Sequence, residues 1–361
     1  MLELLPRMKT RKRPAARARK TKQTHNRPAL SKFARSLLRE WRRLQLPLKD
    51  ATTVIVGVSG GADSVALLLS LAELTKARKL DLELIVSHIN HQLRKTSDED
   101  ARWVKNLARD LGLQVIIGRL NLKNRKGNLE QAARAARYEV FAELAQKRLA
   151  HLVLTAHTLD DQAETILFNL LRGSGAEGLR GMQTVRQLKE SRETLLVRPF
   201  LSWARRADTE SYCHERAINF RRDEMNEDET FTRVRIRRQL VPLLETFNPR
   251  VVAAISRTGE LLGDDNSALD GAAGRLLELS MDNLKKRTEV RIDLLAVAPS
   301  ALRRRALRLW LDRCRGHLRR LEFAHIAAIE SLIVENRGAR TIELPGGARV
   351  SRKRGLLTFN P

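Results

Sequence analysis

The feature that most constrains this 361-residue chain is a junction at positions 54 to 74. Val54-Ile55-Val56-Gly57-Val58 is an apolar, largely β-branched run, and it predicts a buried strand. Ser59-Gly60-Gly61-Ala62-Asp63-Ser64 follows at once, and Val65 to Leu74 then reads as a helix. Strand, tight glycine turn and helix form the opening of a β-α unit, and the alternation continues. Leu82 to Ser87 reads as a strand, Asp98 to Leu111 as a helix, Val115 to Ile117 as a strand, Leu129 to Leu149 as a helix and Leu152 to Leu154 as a strand. Units of this length predict an α/β fold on a doubly wound parallel sheet.

The flanking segments are of other kinds. Ser31 to Trp41 predicts a short helix, broken by Pro47 and Asp50. Beyond Gly173 a glycine-rich connector leads to a strand at Leu195 to Val197, stopped by Pro199. Phe231 to Leu262 reads as helical except at Pro242 and Pro249. The remainder holds a basic helix around Leu302 to Leu311, a second helix through Ile333, and strands near Thr341 to Leu344 and Arg349-Val350. The expected division is a basic tail over 1–30, a catalytic domain over 31–225, a helical linker over 226–263 and a small α+β domain over 264–361.

Charge points to the partner. Lys and Arg number 68 against 42 Asp and Glu, a net +26, of which the first 30 residues supply nine and the remainder +17. A basic body of this size predicts a polyanion such as RNA, unless the charge merely covers solvated faces. Phosphate contacts are expected from Arg233 to Arg238 and from Arg303, Arg304 and Arg305. The tail lacks the apolar period needed to pack and reads as a disordered arm; its Arg-rich, acid-poor makeup also matches a transit peptide. No apolar run approaches the roughly 18 residues of a membrane span, so no membrane association is expected. Cys213 and Cys314 stand far apart without a CxxC, which favours a reducing, cytoplasmic setting over a disulfide framework or a zinc or iron–sulfur site.

Several segments carry chemistry. The Ser59 to Ser64 loop can turn its amides toward an anion, helped by the dipole of the following helix. It lacks the Gly-Lys-Ser/Thr of a Walker A loop and is not GxGxxG. Asp63 repels a phosphate unless a cation such as Mg²⁺ lies between them. His88-Ile89-Asn90-His91-Gln92-Leu93-Arg94 ends the second strand, where doubly wound sheets make ligand contacts. Glu130, Arg134, Arg137 and Tyr138 share a helix on which both arginines can meet one anion. Thr155-Ala156-His157-Thr158-Leu159-Asp160-Asp161-Gln162-Ala163-Glu164-Thr165 opens another helix with Asp161 and Glu164 on one face. Structural readings stand beside these: a capping box for Thr158 and Asp161, a solvated face for the arginines, and a polar strand end for His88.

The loop resembles the PP-loop of the N-type ATP pyrophosphatases, of adenine nucleotide alpha hydrolase-like fold, which split ATP to AMP and pyrophosphate. Together with Arg172-Gly173-Ser174-Gly175, Arg198-Pro199 and Phe231-Thr232-Arg233-Val234-Arg235-Ile236-Arg237, the segments resemble the short form of the tRNA(Ile)-lysidine synthetases from about Val54 to Pro249. A weaker echo lies at Leu344-Pro345-Gly346-Gly347. The resemblance implies an ATP-dependent ligase that joins L-lysine to the wobble cytidine of tRNA(Ile) with a CAU anticodon, through an adenylated base. It implies catalytic roles for Asp63, Arg137, Asp161 and Glu164, and ATP contacts from Ser59, Gly60, Gly61, Ala62, Asp63, Ser64, His88, Arg94, Arg137 and His157. Mg²⁺ would be held by Asp63 and Asp161, or Asp161 and Glu164 would instead hold the lysine ammonium. The oligomeric state is left open, a homodimer among the options. Thr158 replaces a second His common in the family, Glu224-Met225 a Pro-Ser pair and Val234 an Asn. Three rivals remain: a PP-loop tRNA thiolase, which needs sulfur-delivering cysteines; an idle RNA-binding protein; and a small-molecule amidotransferase, for which no glutaminase-like segment is recognisable.

Overall fold

A computed structural model describes residues 29–49, 51–90, 97–119, 129–188, 194–221, 230–282, 284, 286–334 and 341–361. Helix α1 (Lys32–Arg43) precedes β1 (Thr52–Gly57), α2 (Ala62–Lys76), β2 (Leu82–Asn90), α3 (Ser97–Asp110), β3 (Gln114–Arg119), α4 (Leu129–Arg148), β4 (Leu152–Leu154) and α5 (Leu159–Leu171). Then come α6 (Ala176–Leu179), β5 (Val185–Gln187), β6 (Leu195–Val197), α7 (Arg206–His214) and α8 (Thr232–Arg235). A π-helical turn over Ile236–Leu240 passes into α9 (Val241–Phe247) and the long α10 (Val251–Met281).

The sheet runs β3-β2-β1-β4-β6-β5, parallel throughout except for β5, which pairs antiparallel with β6 at the edge. Alternation along the strands sorts the core into two layers, because successive side chains point to opposite faces. Val54, Val56, Leu84, Val86, Leu152, Leu154 and Val197 meet α1, α2, α3 and α7 on one face, while Ile55, Val153 and Leu196 meet α4 on the other. The chain builds outward from β1 to β3 and then returns to the far side of β1 with β4. The carboxyl ends of β1 and β4 therefore flank the point where the winding reverses, the crevice in which such sheets bind ligands. The Ser59 to Ser64 loop leaves one strand there, and the Thr155 to Thr165 segment leaves the other.

The carboxy-terminal part contains β7 (Glu289–Arg291), α11 (Ile292–Val297), α12 (Ser300–Arg315), α13 (Phe323–Val334), β8 (Thr341–Glu343), β9 (Arg349–Lys353) and β10 (Leu356–Asn360). Its strands form an antiparallel sheet in the order β7-β10-β9-β8 around a core that includes Trp310, Leu307, Ile329 and Phe359. Ala273 and Leu277 of α10 belong to that core, whereas Val252 packs with Leu159 and Ala163 of α5. One uninterrupted helix thus spans both regions, and the expected boundary between 263 and 264 falls inside it. Expectations for residues 1–28 lie outside the described residues; Leu30 packs against the first core.

Gly259 lets α10 approach α5 and α6. A Cβ there would stand 2.5 Å from Cδ1 of Ile166, 3.2 Å from the Leu179 carbonyl oxygen and 3.3 Å from that of Arg180. Gly274 of the same helix meets nothing within 4 Å. We expect Gly259→Val to destabilise the fold by about 1–3 kcal/mol through overpacking. Gly274→Ala should stabilise it by roughly 0.5–1 kcal/mol through helix propensity. Urea denaturation of both variants checks this; equal effects would show that the close approach at Gly259 is not a constraint.

Candidate active site

The loop after β1 is organised around the Ser64 hydroxyl. Its Oγ accepts from the amides of Ser59 at 3.1 Å and Gly60 at 3.3 Å, lies 3.1 Å from Ser59 Oγ, and donates to the Gly61 carbonyl at 2.9 Å. Two amides converging on one oxygen form the concavity that a phosphate oxygen needs. Gly60 reaches this shape with φ +99°, in a region that a side chain disfavours. Gly61 N-caps α2 without a side-chain hydrogen bond, so no side chain of its own covers the helix terminus. From the other side the Arg221 amide donates to the Gly60 carbonyl at 2.9 Å, and its guanidinium reaches Asp100 at 2.7 Å.

Asp63, on the first turn of α2, accepts a 2.5 Å hydrogen bond from Thr209 of α7 through Oδ1. No hydrogen bond to its other oxygen forms among the described residues. Burial, with the Asp161 charge adding to it, pushes its pKa up to about 6, against the opposing pull of Thr209 and Arg206. A partly buried carboxylate with a spare oxygen beside a phosphate loop fits a divalent cation, since Mg²⁺ characteristically takes one or two carboxylates and completes its shell with phosphate and water.

The acids of α5 are already engaged. Asp161 closes a capping box, accepting from the Thr158 amide at 2.8 Å and the Thr158 hydroxyl at 3.1 Å on one oxygen. Its other oxygen takes Arg206 at 3.1 Å. Glu164 is held by Arg237 through both oxygens, at 2.7 and 2.9 Å, with Arg206 at 3.4 Å. The neighbouring Asp160 binds Arg205 at 2.8 Å and the Arg206 amide at 2.8 Å. Burial pushes the Asp161 carboxyl up, but Arg206, the Thr158 amide and Arg237 outweigh it and hold Asp161 below the usual range. Arg206 is raised in turn: burial opposes its charge, and Asp161, Glu164, Asp63 and Asp160 more than compensate.

A positive cluster lies beside these acids. Arg198 is buried and donates to the Tyr138 hydroxyl at 3.3 Å and the Gln183 carbonyl at 2.6 Å. Arg134 and Arg186 stand 5.9 and 4.8 Å from the Tyr138 ring centroid. His157 Nδ1 lies 3.0 Å from the Thr155 hydroxyl, and burial with the charges of Arg198, Arg134 and Arg137 drives its pKa down to about 3.

The structure therefore gathers Asp63, Asp161 and Glu164, and sets Arg137 close enough to His157 to shift it. His88 is elsewhere engaged: buried, it pins the end of β1 through a 2.8 Å hydrogen bond from Nδ1 to the Val58 carbonyl. Arg94 lies outside the described residues. The expected phosphate contacts of the carboxy-terminal arginines meet a different reality. Arg303 is buried on Glu330 at 2.9 Å and three backbone carbonyls, Arg304 shares Glu330, and Arg305 binds Asp270 at 2.6 Å. These guanidiniums hold the domain together, and Arg237 serves Glu164. Sequence reasoning overlooked Arg206, Thr209 and the bracing role of Arg198. One signal was present: Arg205-Arg206 complements Asp160-Asp161.

With the geometry established, likeness to known proteins can be weighed. Residues 30–244 match a family model described as a PP-loop domain, and residues 291–358 match the TilS substrate binding domain. Among solved structures the chain is similar to the U34-tRNA thiolase NcsA from Methanococcus maripaludis with its [4Fe-4S] cluster (TM-score 0.53, 16% identity, covering 64% of this chain and 79% of that one). At that identity the likeness speaks for the fold alone. Among curated sequences it is 39% identical to the tRNA(Ile)-lysidine synthase of Leifsonia xyli subsp. xyli, over 87% of this chain and 92% of that protein. The enzyme of the same name from Salinispora arenicola is 35% identical, over 91% and 97%. That of Geobacter sulfurreducens is 38% identical over 85% of this chain, which spans 64% of its length. A PP-loop at the winding reversal, an acidic helix facing it and both matched domains in the expected order agree: the chain belongs to the tRNA(Ile)-lysidine synthase family.

Proposed function

We propose that the chain ligates L-lysine to the wobble cytidine of tRNA(Ile) bearing a CAU anticodon, using ATP. The observation that carries the reading is the junction between loop and acids: Thr209 and Arg206, three residues apart on α7, tie Asp63 of the phosphate loop to Asp161 and Glu164. Such a site can hold a polyphosphate and an amine side by side. In the first step the cytosine O2 bonds to the α-phosphorus of ATP while the bond to pyrophosphate breaks. In the second the lysine amine bonds to C2, the C2–O bond breaks and AMP leaves.

The Ser59 to Ser64 loop holds the departing pyrophosphate with its amides, and Arg137 strengthens its hold on the α-phosphate as charge develops there. Asp63 would hold Mg²⁺, whose chemistry is to neutralise the phosphate charge. Asp161 is less suited to that ion, since Thr158 and Arg206 already take up both of its oxygens. The Arg206 guanidinium seated on Asp161 and Glu164 supports reading this pair as a cation site, which the lysine ammonium would enter by displacing that guanidinium. The neutral amine is the nucleophile, so its proton passes to a carboxylate of this pair or to water. The region matching the PP-loop domain, residues 30–244, would carry the chemistry and the region matching the substrate binding domain, residues 291–358, would present the tRNA, in the cytoplasm. A thiolase is disfavoured because Cys213 is buried against the Ala62 carbonyl and burial pushes its thiol up to about 12, far from a thiolate.

Two outcomes are expected. Incubation with ATP, labelled lysine and tRNA should place label in RNA and release AMP and pyrophosphate; ADP as the main product would contradict the reading. Asp63→Asn should abolish turnover yet stabilise the ligand-free protein. The wild-type carboxyl has a pKa raised from 3.8 to about 6, so its contribution to stability is present below 3.8 and is lost as pH rises through 6. The advantage of Asn should therefore appear across that window and persist above it. A thermal unfolding series in pH checks this; a variant less stable than wild type at about pH 8 would show that Asp63 is not strained by its surroundings.

A further inference from the structure

The guanidiniums around Tyr138 have no acid of their own. Arg198 follows the carboxyl end of β6 and is 2% exposed; it donates to the Gln183 carbonyl and the Tyr138 hydroxyl, while its Nε–H is buried without an acceptor. Arg186, on the neighbouring strand β5, donates to the Gln187 carbonyl at 3.1 Å and lies over the Tyr138 ring. Arg134, one turn before Tyr138 on α4, meets that ring as well. Among the described residues no carboxylate pairs with any of these three. Positive charge accumulates as a result. Burial and repulsion from Arg186 and Arg134 lower the pKa of Arg198. Burial pushes the Tyr138 hydroxyl up, but the three guanidiniums outweigh it and hold Tyr138 below its usual range. Buried cations without an internal acid call for an anion from outside.

Position narrows the choice of anion. Strands β1, β4 and β6 are parallel neighbours, so their carboxyl ends lie in a row. The phosphate loop follows β1, the helix bearing Asp161 and Glu164 follows β4, and Arg198 follows β6. Adjacent strands stand about 4.8 Å apart, so along this row the acids come between the phosphate loop and the cations. His157, between β4 and α5, feels both Arg198 and Asp161, so the two groups lie within electrostatic reach of one imidazole. ATP phosphates seated in the loop are separated from the cations by the acids. An RNA backbone phosphate, esterified on two sides, does not fit against so inaccessible a guanidinium. An extended lysine whose side-chain amine sits on the acids carries its carboxylate six bonds further on, roughly 7 Å away. A guanidinium fork matches that carboxylate. Resting on the ligase reading above, we infer that Arg134, Arg186 and Arg198 bind the α-carboxylate of the lysine substrate and so select lysine over amines of equal length that lack it.

The test uses the full chain with ATP and a tRNA(Ile) transcript, and compares lysine with cadaverine, which keeps both amines and the chain between them but has no carboxylate. KM is measured for labelled lysine, and cadaverine is read as a competitor of its entry into tRNA. In wild type cadaverine should bind about ten- to a hundred-fold more weakly than lysine, the worth of a hydrogen-bonded charge pair. Arg134→Gln and Arg186→Gln should each raise KM for lysine about tenfold without weakening cadaverine, so the preference collapses. KM for ATP and tRNA should change less than about twofold. Because the cluster holds like charges, neither variant should lower the melting temperature of the ligand-free protein. Equal affinity of wild type for lysine and cadaverine, or variants that weaken both alike, would overturn this inference and leave the ligase reading standing. A raised KM for tRNA or ATP with lysine unaffected would make the cluster a phosphate site, and a lowered melting temperature with losses for every substrate would reduce the arginines to bracing; either result also overturns it. Failure of the wild type to place lysine in tRNA at all would remove the ligase reading and this inference with it.

Discussion

Four carboxylates, Asp63, Asp160, Asp161 and Glu164, crowd the carboxyl ends of β1 and β4, and Arg206 is central to their balance. Burial pushes Asp63 toward the protonated form, and the charges of Asp161 and Asp160 add to the push. Arg206 answers with a single guanidinium that contacts Asp161 and Glu164 and an amide that contacts Asp160. Its helix also delivers the Thr209 hydroxyl to Asp63. The polar helix α7 is thus the part that makes a phosphate loop and an acidic helix into one site. Compensation is incomplete at Asp63, which stays raised with an oxygen to spare. That residual demand for positive charge is a useful property in a site that must take up a metal-bound polyphosphate, because binding relieves it.

The second anchor is Arg237. Glu164 is nearly buried, and a buried carboxylate that loses its partner costs about 3–5 kcal/mol, so the pairing also fixes where α8 and the π-helical turn sit. From there α9 leads into α10, which carries the fold across to the carboxy-terminal core. Close packing at Gly259 and the contacts of Arg305 and Asn266 make that passage stiff, with Asn266 donating to the Ala176 carbonyl at 2.8 Å. The geometry of the acids is consequently coupled to the element that positions the second domain.

Much of this was legible in the chain itself. Apolar, β-branched runs separated by amphipathic stretches specify the parallel strands and their helices, because burial on both faces leaves a continuous hydrophobic signature. Glycines after β1 mark the loop for the same reason that Gly60 needs its positive φ. Elements held by polar contacts were hidden. Helix α7 buries Thr209, Tyr212 and Cys213 at helical spacing, yet only its geometry, and not its hydrophobicity, carries that period. Strand β5 is three residues long with a single apolar side chain, so no alternation can show. The roles of individual arginines were equally obscure. A basic residue aimed at a phosphate and one buried on a glutamate look alike in a sequence, and Arg303 with Glu330, 27 positions away, resolved only once α12 and α13 were placed.

The central claim, that Arg206 keeps the acidic cluster ionised and in place, is tested most directly by the pH dependence of stability in Arg206→Gln. Removing the guanidinium lets the Asp161 pKa, now held low chiefly by Arg206, rise toward or above its unfolded value, and pushes the already raised Asp63 carboxyl further up. The stability that ionised Asp161 contributes is then lost. Chemical denaturation of wild type and variant should show a difference that is smallest well below pH 3.8, where Asp161 is protonated even in the wild type, and that grows with rising pH to a plateau by about pH 8. A destabilisation of the same size at every pH would mean that Arg206 contributes packing alone, and would contradict the account.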